Sequence, residues 1–301
     1  MQVFLQQLIN GLSLGLIYAL IALGYTMVYG VLRLINFAHG DVYMVGAMVG
    51  WYTAARWYRV TEPTWYGLPL VMLTAMAACA VLGFLIERLA YRPLRDQPRI
   101  ASLITAIGVS MLLEFGGQYV FGPDPRAFPP LLPDRTFDVG GVTFGLPDVV
   151  IFAVTIALML GLRYVVLHTR TGLALRAVSF RFDAAALMGV NVDRIISLTF
   201  VFGSVLAAAA GVLVAVRAPT VDPLMGLLPG LKAFVAAVLG GIGNIGGAVA
   251  GGVLLGLVET MIAGYFPRGS QYKDGVAFVI LILVLLVKPS GLMGKETIEK
   301  V

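Results

Sequence analysis

Val3-Phe-Leu-Gln-Gln-Leu-Ile-Asn10-Gly-Leu-Ser-Leu-Gly15-Leu-Ile-Tyr-Ala-Leu20-Ile-Ala-Leu-Gly-Tyr25-Thr-Met-Val-Tyr-Gly30-Val31 runs without a single charged residue. At 1.5 Å per residue, a helix of this length exceeds the roughly 30 Å hydrocarbon core of a bilayer. Similar runs recur at 36–55, 67–90, 100–121, 146–167, 194–216, 227–242, 246–265 and 274–287, with the seventh and eighth open to an alternative reading as a re-entrant pair. Across 301 residues, 59% are hydrophobic and 12% charged, against about 25% charged in a soluble domain. The bilayer core satisfies no backbone hydrogen bond, so spans are helices or a closed barrel, and continuous apolar runs lack a barrel's alternation. The expectation is an all-α, polytopic transmembrane helix bundle of about eight or nine spans.

Lys and Arg concentrate on the cytoplasmic side of membrane proteins. The segment 87–99 holds Arg88, Arg92, Arg95 and Arg99, and 167–194 holds Arg170, Arg176, Arg181 and Arg194. Both are assigned to the cytoplasm, and the proline-rich loop 122–145 between them to the outside. Continuing the alternation puts Lys288, Lys295 and Lys300 inside and the N-terminus outside, which needs an odd number of spans. The first basic residue is Arg33, so the N-terminal run lacks a signal peptide's positive region and is expected to remain as the first span. The net charge of +5 is scattered over short loops, which argues against nucleic acid. The chain reads as one membrane domain, 1–301, with no loop large enough for a nucleotide-binding or catalytic domain.

Several motifs are weighed against their context. Gly241-Ile-Gly243-Asn244-Ile-Gly246 matches a dinucleotide-binding glycine pattern, but it lies between two apolar runs and not inside an α/β unit. Gly243, Gly247 and Gly251 recur every four residues, a stripe that suits close helix packing or, alternatively, a broken pore-lining helix. Gly294-Lys295-Glu296 lacks the hydroxyl of a phosphate loop, so any ATP is hydrolysed by another chain. Cys79 has no partner, and two histidines, His39 and His168, make a poor metal or catalytic set.

Polar residues inside apolar runs are candidate functional sites. Asn36, His39 and Asp41 cluster beside Gly40 at the start of the second run, either as caps or as part of an irregular helix exposing backbone to a pathway. Glu114 and Glu259 lie deep in the fourth and eighth runs, either lining a cavity or hydrogen-bonded in the core. Lys232 and Arg217 are read as snorkelling residues near outer helix ends.

The cytoplasmic stretch Arg176-Ala-Val-Ser-Phe-Arg181-Phe-Asp183-Ala184-Ala185-Ala-Leu187-Met188-Gly189-Val-Asn191-Val-Asp193-Arg194 brackets a short helix between an N-cap, Asp183, and a C-terminal glycine, Gly189. One or two turns are unstable alone. The segment therefore packs on its own bundle or docks into a groove of a cytosolic partner through Ala184, Ala185, Leu187 and Met188, with Arg176 and Arg181 beside them.

Taken together, Gln6-Gln7-Leu-Ile-Asn10-Gly11-Leu-Ser13-Leu-Gly15, Ala19 through Gly30, Asn36-Phe-Ala-His39-Gly40-Asp41, Arg176-Ala-Val with Asp183 through Gly189, and Gly240-Gly-Ile-Gly-Asn244 resemble the LivH-type permease subunit of ABC importers for branched-chain amino acids. The resemblance spans essentially the whole chain. It implies that the segment 168–194 couples to the ATPase, with Asp183-Ala184-Ala185 and Gly189 standing where the family commonly carries Glu-Ala-Ala and, three residues on, Gly. The downstream Ile-x-Leu-Pro of that motif is replaced by Thr199-Phe200-Val201-Phe202. It further implies two ATPase subunits, a homologous second permease, a periplasmic binding protein, ATP and Mg on the partner chains, no cofactor here, and an inner-membrane location. Importers of urea or short amides are similar; an ion-coupled secondary transporter using Glu114, Glu259 or Asp41 is the alternative of another class.

Overall fold

The structure is a computed structural model that describes residues 2–95 and 97–294; Lys295 and Lys300 lie outside the described residues. It contains α1 (Gln2–Leu32), α2 (His39–Tyr52), α3 (Gly67–Ile86), α4 (Arg99–Phe121), α5 (Leu146–His168), α6 (Arg170–Phe180), α7 (Phe182–Leu187), α8 (Val192–Arg217), α9 (Leu227–Gly240), α10 (Ile245–Tyr265) and α11 (Gly269–Val287). Single π-helical turns extend α2 through Thr53–Trp57 and α3 through Glu87–Tyr91. Two antiparallel strand pairs, β1 (Arg126–Ala127) with β4 (Thr220–Val221) and β2 (Thr136–Val139) with β3 (Val142–Gly145), lie in the loops.

Each of the nine apolar runs coincides with a helix, but they are not nine equal crossings. Seven, namely α1, α3, α4, α5, α8, α10 and α11, are long and apolar enough to span a membrane. The α-helical parts of α2 and α9 have 14 residues each, about 21 Å; α9 is too short to cross alone, and α2, even lengthened to Trp57 by its π-helical turn, is not among the helices long and apolar enough to span. The strands and the helix α6 were not read from the sequence. Thr169 caps α6 by accepting from the Gly172 amide at 3.1 Å.

Helix α1 is the axis of the bundle, buried over most of its length against α8, α9 and α10. It is apolar all round, as a helix surrounded by others must be. It approaches α10 closely because glycines face each other: a methyl group on Gly15 would lie 2.7 Å from the Val253 Cα. Without a hydrophobic drive in lipid, such backbone proximity supplies the packing energy. By contrast α4, α5 and α11 turn mostly apolar side chains outward.

Two faces can be defined from contacts. Gln6 at the start of α1 bonds Thr143 of β3, donating to its carbonyl at 2.7 Å and accepting from its amide at 2.9 Å; this end is the N-terminal face. At the far face, the end of α9 accepts from the segment after α11, Leu292 N to Leu239 O at 2.8 Å and Met293 N to Gly240 O at 3.0 Å. The starts of α8 and the whole of α6 and α7 belong to the far face.

Candidate functional site

The half-length helices place the site. Helix α2 runs alongside α8, with Gly46 against Ala208 and Gly50 against Val212. Its first residue, His39, lies beside Gly203, eleven residues into α8 and so about 16 Å from that helix's far-face end. Helix α9 begins at the same level: a methyl on Gly40 would meet Gly226 O at 2.7 Å and the Gly230 Cα at 2.8 Å. One connection, 33–38, re-enters from the far face and leads into α2; the other, 218–226, descends from the β1–β4 pair on the N-terminal face and leads into α9. The N-termini of two broken helices thus abut in the middle of the bundle, and only glycine at 40, 226 and 230 lets the backbones come this close. The positive ends of two helix dipoles converge there, although most amides of the two first turns already have acceptors, such as Asn36 O for His39 N and Gly226 O for Gly230 N.

Around this break, His39 and Asp41 are both buried in the first turn of α2. Ser110 of α4 donates to Asp41 Oδ2 at 2.5 Å, and Glu114, one turn farther along α4, lies beside the same carboxylate. Among the described residues neither acid has a Lys, Arg or His within ion-pair distance. The His39 ring is lodged against Gly24, edge-on to Tyr25 at 4.8 Å between centroids, and its Nε2 has no hydrogen-bond partner. Below, toward the far face, a narrow apolar recess of about 10 Å³, room for one water, is lined by Tyr25, Tyr29, Ile35, Phe234, Ala237 and Ile242. Tyr25 and Phe37 both pack on Phe234, at 6.0 and 6.1 Å, between that recess and the break.

The five sequence candidates are not all together. His39, Asp41 and Glu114 gather at the break. Asn36 is turned away from it, its Oδ1 accepting from the buried Tyr91 hydroxyl at 2.8 Å. Glu259 belongs to a separate cluster: Lys232 Nζ lies 2.5 Å from Glu259 Oε1 and 2.5 Å from Asp274 Oδ1, and Tyr18 donates to Glu259 Oε2 at 2.9 Å. Lys232 is therefore not a snorkelling residue; it is buried as the cation of a four-helix cluster joining α1, α9, α10 and α11. A lysine inside an apolar run is itself the sequence signal of a buried acidic partner.

The glycine stripe is likewise divided. Gly247 and Gly251 bring α10 against Gly240 and Ala236 of α9, but Gly243 lies in the turn before α10 with φ +92° and packs in neither helix. On the far face, α7 begins at Phe182 with Arg181 as its N-cap, two residues earlier than the expected cap Asp183, which lies in the first turn. Gly189 takes φ +81° and its amide bonds Ala186 O, closing the helix. Ala185 alone is buried; Arg176, Arg181, Asp183 and Ala184 are exposed, and Leu187 and Met188 project at 88% and 84% exposure. So small a helix with two large apolar side chains in the open is a surface without a cover.

A family described as the branched-chain amino acid transport system permease component matches residues 7–285. The chain belongs to that family. It is 45% identical to the high-affinity branched-chain amino acid transport system permease protein BraD of Pseudomonas aeruginosa, over 99% of this chain and 98% of that one. It is 42% identical to the protein of the same description named LivH in Escherichia coli K12, again over 99% and 98%, and 28% identical to a probable LivH of Methanocaldococcus jannaschii, over 92% and 88%. The permease is thus a multi-pass inner-membrane protein and a non-catalytic component of its transport system, with ATP hydrolysed by separate subunits.

Proposed function

We propose that this permease moves branched-chain amino acids inward by alternating access, and that the break between α2 and α9 is the point past which they move. The observation carrying this reading is the meeting of two helix N-termini beside an acidic pair that has no cation partner among the described residues. An amino acid is a zwitterion: its carboxylate suits the converging positive dipole ends, and its ammonium group suits Asp41 and Glu114. Tyr25, Phe37 and Phe234 close the way from the break to the far face, with the small apolar recess beyond them. Similarity to BraD and LivH supports the amino-acid substrate over urea or amides. The pairing of Glu259 with Lys232 removes one of the free carboxylates on which ion coupling would depend.

In this reading the far face is cytoplasmic, so the N-terminus is outside and the C-terminus inside; Arg88, Arg92, Arg170, Arg176, Arg181 and Arg194 support that orientation. The segment 168–194 is the coupling element, docking through Arg176, Arg181, Asp183, Ala184, Leu187, Met188 and Gly189 into an ATPase groove, while Ala185, expected from the sequence to dock as well, is buried against the bundle and anchors the short helix instead. Two ATPase subunits carrying ATP and Mg, a homologous second permease and a periplasmic binding protein complete the importer. The test is uptake of radiolabelled leucine into proteoliposomes, with and without each partner, and with Gly189→Arg. Nothing lies within 4 Å of a Cβ at Gly189, and the strain of a larger residue at φ +81°, about 1–2 kcal/mol, falls on the exposed end of α7, so the bundle is expected to fold while uptake is abolished. Uptake by the permease alone, indifferent to ATP, would refute the proposal.

A further inference from the structure

A group of side chains not used above joins the segment 168–194 to the break. Helix α7 ends at Leu187 and α8 starts at Val192, the short link closed by Gly189 and by Asn191, whose Oδ1 accepts from the Arg194 amide at 3.0 Å. Any displacement of α7 is therefore delivered to Asp193, in the first turn of α8. Two arginines from the end of α3 grip Asp193: Arg92 pairs with Oδ2 and Arg95 with Oδ1, the latter at 2.5 Å. Arg95 also pairs with Glu87, whose side chain is wholly buried and accepts from Ser197 of α8 at 2.5 Å.

Glu87 opens the π-helical turn Glu87–Tyr91, the kind of wide turn at which a helix adjusts its register. Tyr91 closes it. The Tyr91 ring packs 5.1 Å from Phe200 of α8, and its hydroxyl donates to Asn36 at 2.8 Å with both residues under 5% exposed. Asn36 lies in the connection 33–38, whose Asn36 carbonyl accepts from the His39 amide at 3.1 Å and so leads directly into α2. Two sets of polar contacts, joined through the backbone of the π-helical turn from Glu87 to Tyr91, thus lead from the coupling segment to the mid-bundle break. Buried contacts of this sort change by switching partners and not by gradual stretching, which suits two-state transmission.

We infer that Asp193 and Tyr91 are positioning residues that transmit displacement of the segment 168–194 to the N-terminus of α2. This rests on the docking role proposed for that segment. The test is solute moved per ATP hydrolysed by the complete reconstituted importer, for wild type, Tyr91→Phe, Asp193→Ala, Asp193→Glu and the double variant Tyr91→Phe/Asp193→Ala. Loss of the buried Tyr91 hydrogen bond is expected to lower that ratio about five- to tenfold, and loss of the half-exposed Asp193 carboxylate about two- to fivefold. Asp193→Glu keeps the carboxylate and is expected to restore the ratio. Because the contacts act in series, the double variant is expected to match the worse single one.

A purely structural role would lower the yield of assembled importer and leave the ratio unchanged, which would overturn the inference. So would single effects that multiply in the double variant. If Asp193→Ala does not assemble, the nearly isosteric Tyr91→Phe decides alone. A wild-type complex that hydrolyses ATP without importing leucine overturns the docking proposal itself, and the relay with it.

Discussion

Two clusters of buried charge differ in one respect. Around Lys232, each acid has a cation: Glu259 and Asp274 share its ammonium group, with Tyr18 adding a hydrogen bond. Around Asp41, a second acid and a serine are present, but among the described residues there is no cation. The first cluster is internally satisfied and fastens α9 to α1, α10 and α11. The second leaves two acids beside a gap between helix N-termini, where an arriving ammonium group completes the set. Within lipid an unmatched carboxylate is costly, so the open cluster is the one whose existence calls for a ligand.

The largest expected effect comes from opening the closed cluster. Lys232→Met leaves Glu259 and Asp274 without their cation, and removing one partner of a buried pair costs about 3–5 kcal/mol. Thermal unfolding in detergent is expected to show a large loss, with Lys232→Met/Glu259→Gln recovering most of it. An unchanged melting temperature in the single variant would erase the distinction between the clusters. Next, Asp41→Asn is expected to cost little stability, since no ion pair is broken, yet to reduce leucine uptake by about ten- to a hundredfold, the worth of a hydrogen bond to a charged group. Uptake at the wild-type rate would remove Asp41 from the pathway.

Gly40→Ala probes the gap itself. The added methyl meets Gly226 and Gly230 within 2.8 Å, and overpacking of this kind costs about 1–3 kcal/mol; a lowered melting temperature together with slowed uptake is expected. The smallest effect is assigned to Ser110→Ala, which removes one donor from Asp41, about 1 kcal/mol. Its uptake is expected to fall less than that of Asp41→Asn, and the reverse order would make Ser110 the contact that matters.

Much of this was legible in the sequence because lipid imposes one solution on an apolar run. The nine runs all became helices, and Asn36-Phe-Ala-His-Gly40-Asp41 stood out as an irregular start. The close approach of Gly40 to Gly226 and Gly230 did not, because those residues are far apart in the chain and glycine has no side chain to advertise a contact. Lys232 illustrates the same limit: its cost in lipid was visible, but Glu259 and Asp274 could be matched to it only through the packing of α9 on α10 and α11. Gly243 shows the converse, a residue that fits a four-residue stripe on paper yet falls in a turn.

By itself the sequence determined the solvent, the helical class, the order of the spans and the location of the short segment ending at Gly189, since each follows from local hydropathy, charge and capping. Tertiary structure decided that two of the spans are halves whose N-termini meet in mid-bundle, and which buried charges are matched. The physical reason is that hydropathy along a chain reports the environment of each residue separately, whereas a broken helix and an ion pair are defined by distances between residues that only packing brings together.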